Sequence, residues 1–156
     1  MLFPDTGRAL RESLRVLKPG GRAAFVAFGK REQPFFTTTT AILFKYIAAP
    51  KPDPDAPHLF MFGERDRMRH EMEAAGFTNV REVFRTVQAH WDGAAEEYWH
   101  QFTEVAAPYR AMIAQLSPQT RPTVIAESVA ALNKFSDGNG ITLPLEIVIG
   151  SGNRPS

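Results

Sequence analysis

Four histidines, twelve phenylalanines, three tyrosines, two tryptophans and no cysteine bound the chemistry open to this chain of 156 residues. Without cysteine there are no disulfides, no thiolate zinc sites and no cysteine nucleophile. His58, His70, His90 and His100 share no helical i, i+3 or i, i+4 spacing, so no metal site is expected. His70 lies among charged residues and reads as solvated. His90 and His100 flank an aromatic segment, and either could take a proton from a substrate hydroxyl. A packed or solvated histidine is the competing reading. Glu96, Glu97 and Glu104 read as a solvated helix face, and no serine lies in a nucleophile elbow. The large rings Phe28, Phe35, Phe36, Tyr46, Phe60, Phe62, Trp91, Tyr98 and Trp99 would suit a hydrophobic or aromatic ligand. The same rings can also fill a core.

The composition narrows the class. Apolar residues make up 44% and charged residues 22%, which argues against disorder. Lys plus Arg is 18 and Asp plus Glu is 17, so no nucleic-acid partner is expected. No apolar run approaches the ~20 residues of a membrane span. The start, Met1-Leu2-Phe3-Pro4-Asp5, lacks the basic and apolar regions of a signal peptide. A cytoplasmic protein without a membrane partner is the expectation, and 156 residues read as a single domain.

The elements that must position these residues follow from periodicity. Leu10, Leu14 and Leu17 share one helical face from Asp5 to Leu17, with Asp5 or Thr6 as the cap. Pro19-Gly20-Gly21 ends that helix and turns the chain into a strand, Arg22 to Phe28. Its unbroken apolar run predicts burial on both faces. Pro34 opens a helix to about Ile47, in which Thr37 to Thr40 read as a surface turn. Prolines 50, 52, 54 and 57 make Ala48 to His58 an extended loop. Met68, Met72 and Ala75 line a helix from Glu64 to Ala75, closed by Gly76. A second strand runs over about 80–90. Three helical stretches then lead to a last strand over about 141–149. They are marked by Ala95 to Val105, by Pro108 to Leu116, and by Ile125, Val129 and Leu132. The last strand alternates at Ile141, Leu143, Leu145, Ile147 and Ile149, and holds Pro144 near its start or at a bulge.

The segment Ala9 to Arg22, which ends in Leu17-Lys18-Pro19-Gly20-Gly21-Arg22, resembles the helix and turn before the fifth strand of class I S-adenosylmethionine-dependent methyltransferases. The likeness is to the ubiquinone and menaquinone biosynthesis type. Met72-Glu73-Ala74-Ala75-Gly76-Phe77 is similar to the family's segment before strand six, and the proline-bearing Ile141 to Gly150 to its strand seven. Met1-Leu2-Phe3-Pro4-Asp5 looks like the segment just after strand four. The resemblance therefore covers the C-terminal half of such an enzyme.

It implies an α/β fold, a partial Rossmann-like arrangement with a small mixed sheet of strands 22–28, 80–90 and 141–149. The last strand would be antiparallel and lie between the other two. It implies S-adenosylmethionine as cofactor, with Leu2 and Phe3 as the only cofactor contacts present. The family's Gly-rich loop and acidic ribose-holding residue have no counterpart here: Gly138-Asn139-Gly140 precedes a strand, and Gly150-Ser151-Gly152 follows one. Cofactor binding by this chain alone is therefore not expected. On the acceptor side, Phe28, Phe60, Phe62, Trp91, Tyr98 and Trp99 would line the pocket for a small hydrophobic or aromatic substrate, with His90 or His100 as base. The activity implied is methyl transfer by a truncated, acceptor-side half, inactive alone. One alternative is a full methyltransferase whose start is assigned too late. Another is a non-catalytic dimeric or ligand-binding remnant. The bare edge of strand 22–28 would be an association site, so a homodimer through that edge is expected.

Overall fold

A computed structural model describes residues 3–48, 56–105 and 107–156. They form seven helices and three strands, with three helices between the first and second strands and three between the second and third. The chain divides into two compact units: Met1–Arg31, Pro52–Val87 and Leu145–Ser156 form the first, Glu32–Lys51 and Gln88–Pro144 the second.

In the first unit, α1 (Thr6–Val16) is capped by Asp5, whose carboxylate accepts the Arg8 N–H at 2.7 Å. Leu10 is buried, with Leu14 and Leu17 packed around it. Gly20 takes a φ of +71°, which the turn into β1 (Arg22–Phe28) requires. β1 pairs antiparallel along its whole length with β3 (Ile141–Asn153), from Arg22 against Asn153 to Phe28 against Ile147. With β2 (Thr78–Trp91), the sheet order is β1-β3-β2, the neighbour order expected.

β1 is not buried on both faces as expected. Ala23, Phe25 and Ala27 face the core, while Ala24 and Val26 are exposed, Val26 by 60%. Among the described residues, α1 and α4 (Arg67–Ala74) supply the first unit's helices of eight residues or more, and the core cluster draws only on one side of β1.

The last strand is longer than 141–149, and its alternation changes phase. Ile141 and Leu143 are buried at one end, then Val148, Gly150 and Gly152 at the other, with 144–147 half-buried. Gly150-Ser151-Gly152 therefore lies inside β3 instead of following it. The reason is close packing: a Cβ on Gly150 would lie 2.4 Å from the Met68 sulfur and 2.8 Å from that of Met72. The glycines let the inner stripe of α4, Met68, Met72 and Ala75, settle onto the strand. Pro144 sits before the stretch that pairs with β1, where the N–H that proline lacks is not required by a β1 partner. β2 extends to 78–91, beyond the predicted 80–90. Its Glu82 carboxylate accepts the N–H groups of Asp66 (2.6 Å) and Arg69 (3.0 Å), which caps α4 and replaces the expected start at Glu64.

The second unit is mainly helical. The predicted helix from Pro34 is two short ones, α2 (Pro34–Thr37) and α3 (Thr40–Leu43). Thr38, Thr39 and Thr40 are buried, not a surface turn. The hydroxyls of Thr38 and Thr39 donate to the carbonyls of Pro34 and Phe35, both at 2.7 Å, so the threonines satisfy their own hydroxyls where the helix breaks. Of the loop predicted over Ala48 to His58, residues 49–55 lie outside the described residues. α5 (Ala95–Val105), α6 (Ala107–Ile113) and α7 (Arg121–Asn133) follow. In α7 the fully buried positions are Val124, Ser128 and Leu132, while the expected Ile125 and Val129 pack at the side.

Candidate functional site

The predicted pocket residues fall into two groups. Phe28, Phe60 and Phe62 belong to the first unit, and Trp91, Tyr98 and Trp99 to the second. In the first unit Phe28 and Phe60 meet with ring centroids 6.1 Å apart, and the Arg31 guanidinium lies 5.8 Å above the Phe60 ring. Phe62 is a core residue beside Met68 and Met72. It also lines an apolar groove of about 280 Å³ between α1 and β1, with Phe3, Ala9, Leu10, Phe25 and Val26. Phe3 is 61% exposed at its mouth, and Leu2 lies outside the described residues.

This groove does not fit S-adenosylmethionine. Its lining contains no carboxylate for ribose hydroxyls and no glycine where a backbone could approach the ligand. The Ser13 hydroxyl in the lining already donates to the Ala9 carbonyl at 2.8 Å, and that of Thr6 is turned to the Met61 sulfur at 3.8 Å.

The second unit holds a continuous row of rings. α5 makes it, because Ala95, Trp99 and Thr103 fall inward at four-residue steps while Tyr98, Phe102 and Val105 form the next stripe. Trp91 at the end of β2 meets Tyr98 edge-on at 5.9 Å. Tyr98 stacks on Phe102 at 6.0 Å with the rings within 4° of parallel. Phe102 then contacts Tyr109 at 4.5 Å and Phe35 edge-on at 5.5 Å. A shallow groove of about 310 Å³ runs along Trp91, Tyr98, Gln101, Phe102 and Val105.

Electrostatics makes this row neutral. Burial, with a smaller contribution from Tyr109, pushes the Tyr98 phenol up to about 12. Tyr109 is also raised by burial, against the opposing effect of its hydrogen bond with Thr40. Both stay protonated at neutral pH and can donate, but neither serves as a base. The Trp91 indole N–H is buried with no acceptor among the described residues, which leaves an unsatisfied donor at the head of the row.

The histidine candidates are placed differently. Both ring nitrogens of His90 are engaged, Nδ1 with the Thr142 hydroxyl at 2.8 Å and Nε2 with Asp92 at 3.1 Å. A base role would first require one of these bonds to open. His100 is exposed, two residues beyond Tyr98 and so turned off its face. Trp99 packs in the core with 3% exposure and offers no ring face to a ligand. The residues that sequence reasoning left out of the pocket are Gln101, Phe102 and Val105. The i, i+4 step from Tyr98 to Phe102 was the available signal. Among the described residues no group of three or more metal-ligating side chains converges, and no helix is long and apolar enough to cross a membrane.

An 81-residue stretch is 35% identical to malonyl-[acyl-carrier protein] O-methyltransferase of Methylococcus capsulatus. In sequence the chain is methyltransferase-like. The match covers 52% of this chain and 26% of that enzyme, so the chain spans about a quarter of its curated relative's length. Similar solved structures include the YcgJ protein of Bacillus subtilis and BH2331 of Bacillus halodurans, described as a candidate methyltransferase. Each is 16% identical with a TM-score of 0.46, over 99% of this chain and 59% or 60% of theirs. No protein-family model matches the chain.

Proposed function

We propose that this methyltransferase-like chain carries the acceptor side of S-adenosylmethionine-dependent methyl transfer and does not hold the cofactor by itself. The observation that carries the reading is the aromatic row of the second unit, Trp91-Tyr98-Phe102, with a groove along it. A flat hydrophobic or aromatic acceptor laid in the groove gains ring contacts and loses water, which is the positioning a transfer reaction needs. Tyr98 supplies a donor to orient it, while Gln101 supplies both donor and acceptor groups. His90 serves as base only after release from Thr142 or Asp92.

The test uses 4-nitrophenol as probe, read by quenching of tryptophan fluorescence. Saturable binding to the wild type is expected, weakened about tenfold or more by Phe102→Ala, since one ring contact is worth about 0.5–1.5 kcal/mol beyond its buried area. No saturable binding, or binding indifferent to Phe102→Ala, overturns the acceptor site. Titration calorimetry with S-adenosylmethionine should give no heat of binding, and micromolar affinity would overturn the cofactor statement independently. A second reading, a non-catalytic binder of small aromatic ligands, is favoured by the poor fit of the first unit's groove to the cofactor. It predicts probe binding with no methyl transfer to the probe even when a separate cofactor-binding methyltransferase half is supplied together with S-adenosylmethionine.

A further inference from the structure

We infer that α1 is a two-fold interface, on which a second copy of this chain packs its own α1 antiparallel. The outer flank of the helix carries Asp5, Arg8, Glu12 and Arg15 at steps of three, four and three residues, so the four form one row of alternating sign. All four are exposed. A two-fold axis on that outer flank, midway between Arg8 and Glu12, reverses that row against itself. Asp5 then faces Arg15 of the second copy, and Arg8 faces its Glu12. Every pair is of opposite charge, and each occurs twice by symmetry. A parallel arrangement would set like charges against each other, so the row selects the antiparallel one.

The surface beside the row has the shape such a contact needs. Ala9 and Ser13, both small, lie next to the axis and let the helix backbones approach. Phe3 and Val16 stand at the two ends, 61% and 68% exposed, and meet across the axis. Together with Val26 they are three of the five large hydrophobic residues exposed among the described residues, gathered on one side of the first unit. The Glu12–Arg15 pair, 2.8 Å apart on one helix, stays solvated and exchanges partners at small cost. This arrangement differs from the expectation of edge-to-edge pairing through β1, because two α1 helices side by side hold the β1 edges apart.

Sedimentation velocity over a wide range of concentration, on the full 156-residue chain, tests it. The wild type should associate to a dimer, more weakly as salt rises. Arg8→Glu replaces two attractions by two repulsions and should weaken association about tenfold. Glu12→Arg should do the same. The double change Arg8→Glu with Glu12→Arg restores opposite pairs and should recover the wild-type dimer. Circular dichroism checks that each variant keeps its helices. A wild type that stays monomeric at every concentration overturns the inference. So does a dimer indifferent to both single changes. Dissociation by Ala24→Pro with no response to the charge changes would assign the contact to the β1 edge and likewise overturn it.

Discussion

The two units reach burial by opposite means. The first packs small against large: glycines of β3 beneath two methionines of α4, with leucines of α1 at the side. The second packs large against large, with Trp99, Tyr109, Leu132 and Ile141 inward and a row of rings on its flank. Close backbone approach leaves little room for change, whereas the aromatic flank leaves a surface that another flat molecule can extend. The first unit also carries three of the four segments that resemble methyltransferases, with the fourth, Ile141 to Gly150, divided between the units.

The sharpest way to break this contrast is to enlarge or empty one core at a time. Leu132→Ala, fully buried in the second unit, should cost about 3 kcal/mol by the usual range for such cavities, read by urea denaturation at the tryptophans. Both tryptophans lie in that unit, so their fluorescence reports it directly. Gly150→Ala should cost about 2 kcal/mol in the first unit by overpacking against Met68, measured by far-ultraviolet circular dichroism. A neutral result there would mean that the methionines yield, and the tight-packing account of β3 would fall.

Smaller effects sharpen the second unit. Ser128 is fully buried with its hydroxyl unpartnered, so Ser128→Ala should stabilise by about 1 kcal/mol. A loss of stability would mean the hydroxyl has a partner in solution. Tyr98 titrates near 12 when folded and about 10 when unfolded. Its contribution is therefore fully present below pH 10 and lost as pH rises toward 12. Tyr98→Phe should flatten that alkaline limb in thermal melts taken across the window. Smallest is Glu127, held below the usual carboxylate range by the Tyr46 hydroxyl and then by Lys45. Its contribution is present above the ordinary carboxylate value and lost as pH falls through the lowered one, so Glu127→Gln should soften the acid limb slightly.

Much of the fold was legible where the signal was local. Asp5 caps α1, the Pro19-Gly20-Gly21 turn leads into β1, and Gly76 closes the chain after α4 with a φ of +101°. Met68, Met72 and Ala75 were readable as one stripe because helical spacing alone aligns them. The failures were also physical. Thr37 to Thr40 read as surface because hydroxyls are polar, yet back-bonding to carbonyls makes Thr38 and Thr39 buriable, and the Tyr109 hydroxyl pairs with buried Thr40. The alternation of the last strand suggested one inward face, but different layers cover its two ends. Of the candidate site, Trp91 and Tyr98 were legible as large rings. Their junction with Phe102 and the burial of Trp99 were not, since a ring's partners depend on which helix face is covered.

The sequence by itself determined the Asp5 cap of α1, the turn residues, the order of the elements and the likeness to methyltransferases. These depend on neighbours within a few residues, where backbone sterics and hydrogen bonding act. Tertiary structure alone decided which aromatics share a surface, which face of β1 stays open, and that Gly150-Ser151-Gly152 belongs inside a strand. Those outcomes turn on atoms distant in the chain: a glycine in β3 takes its meaning from the methionine sulfurs lying over it.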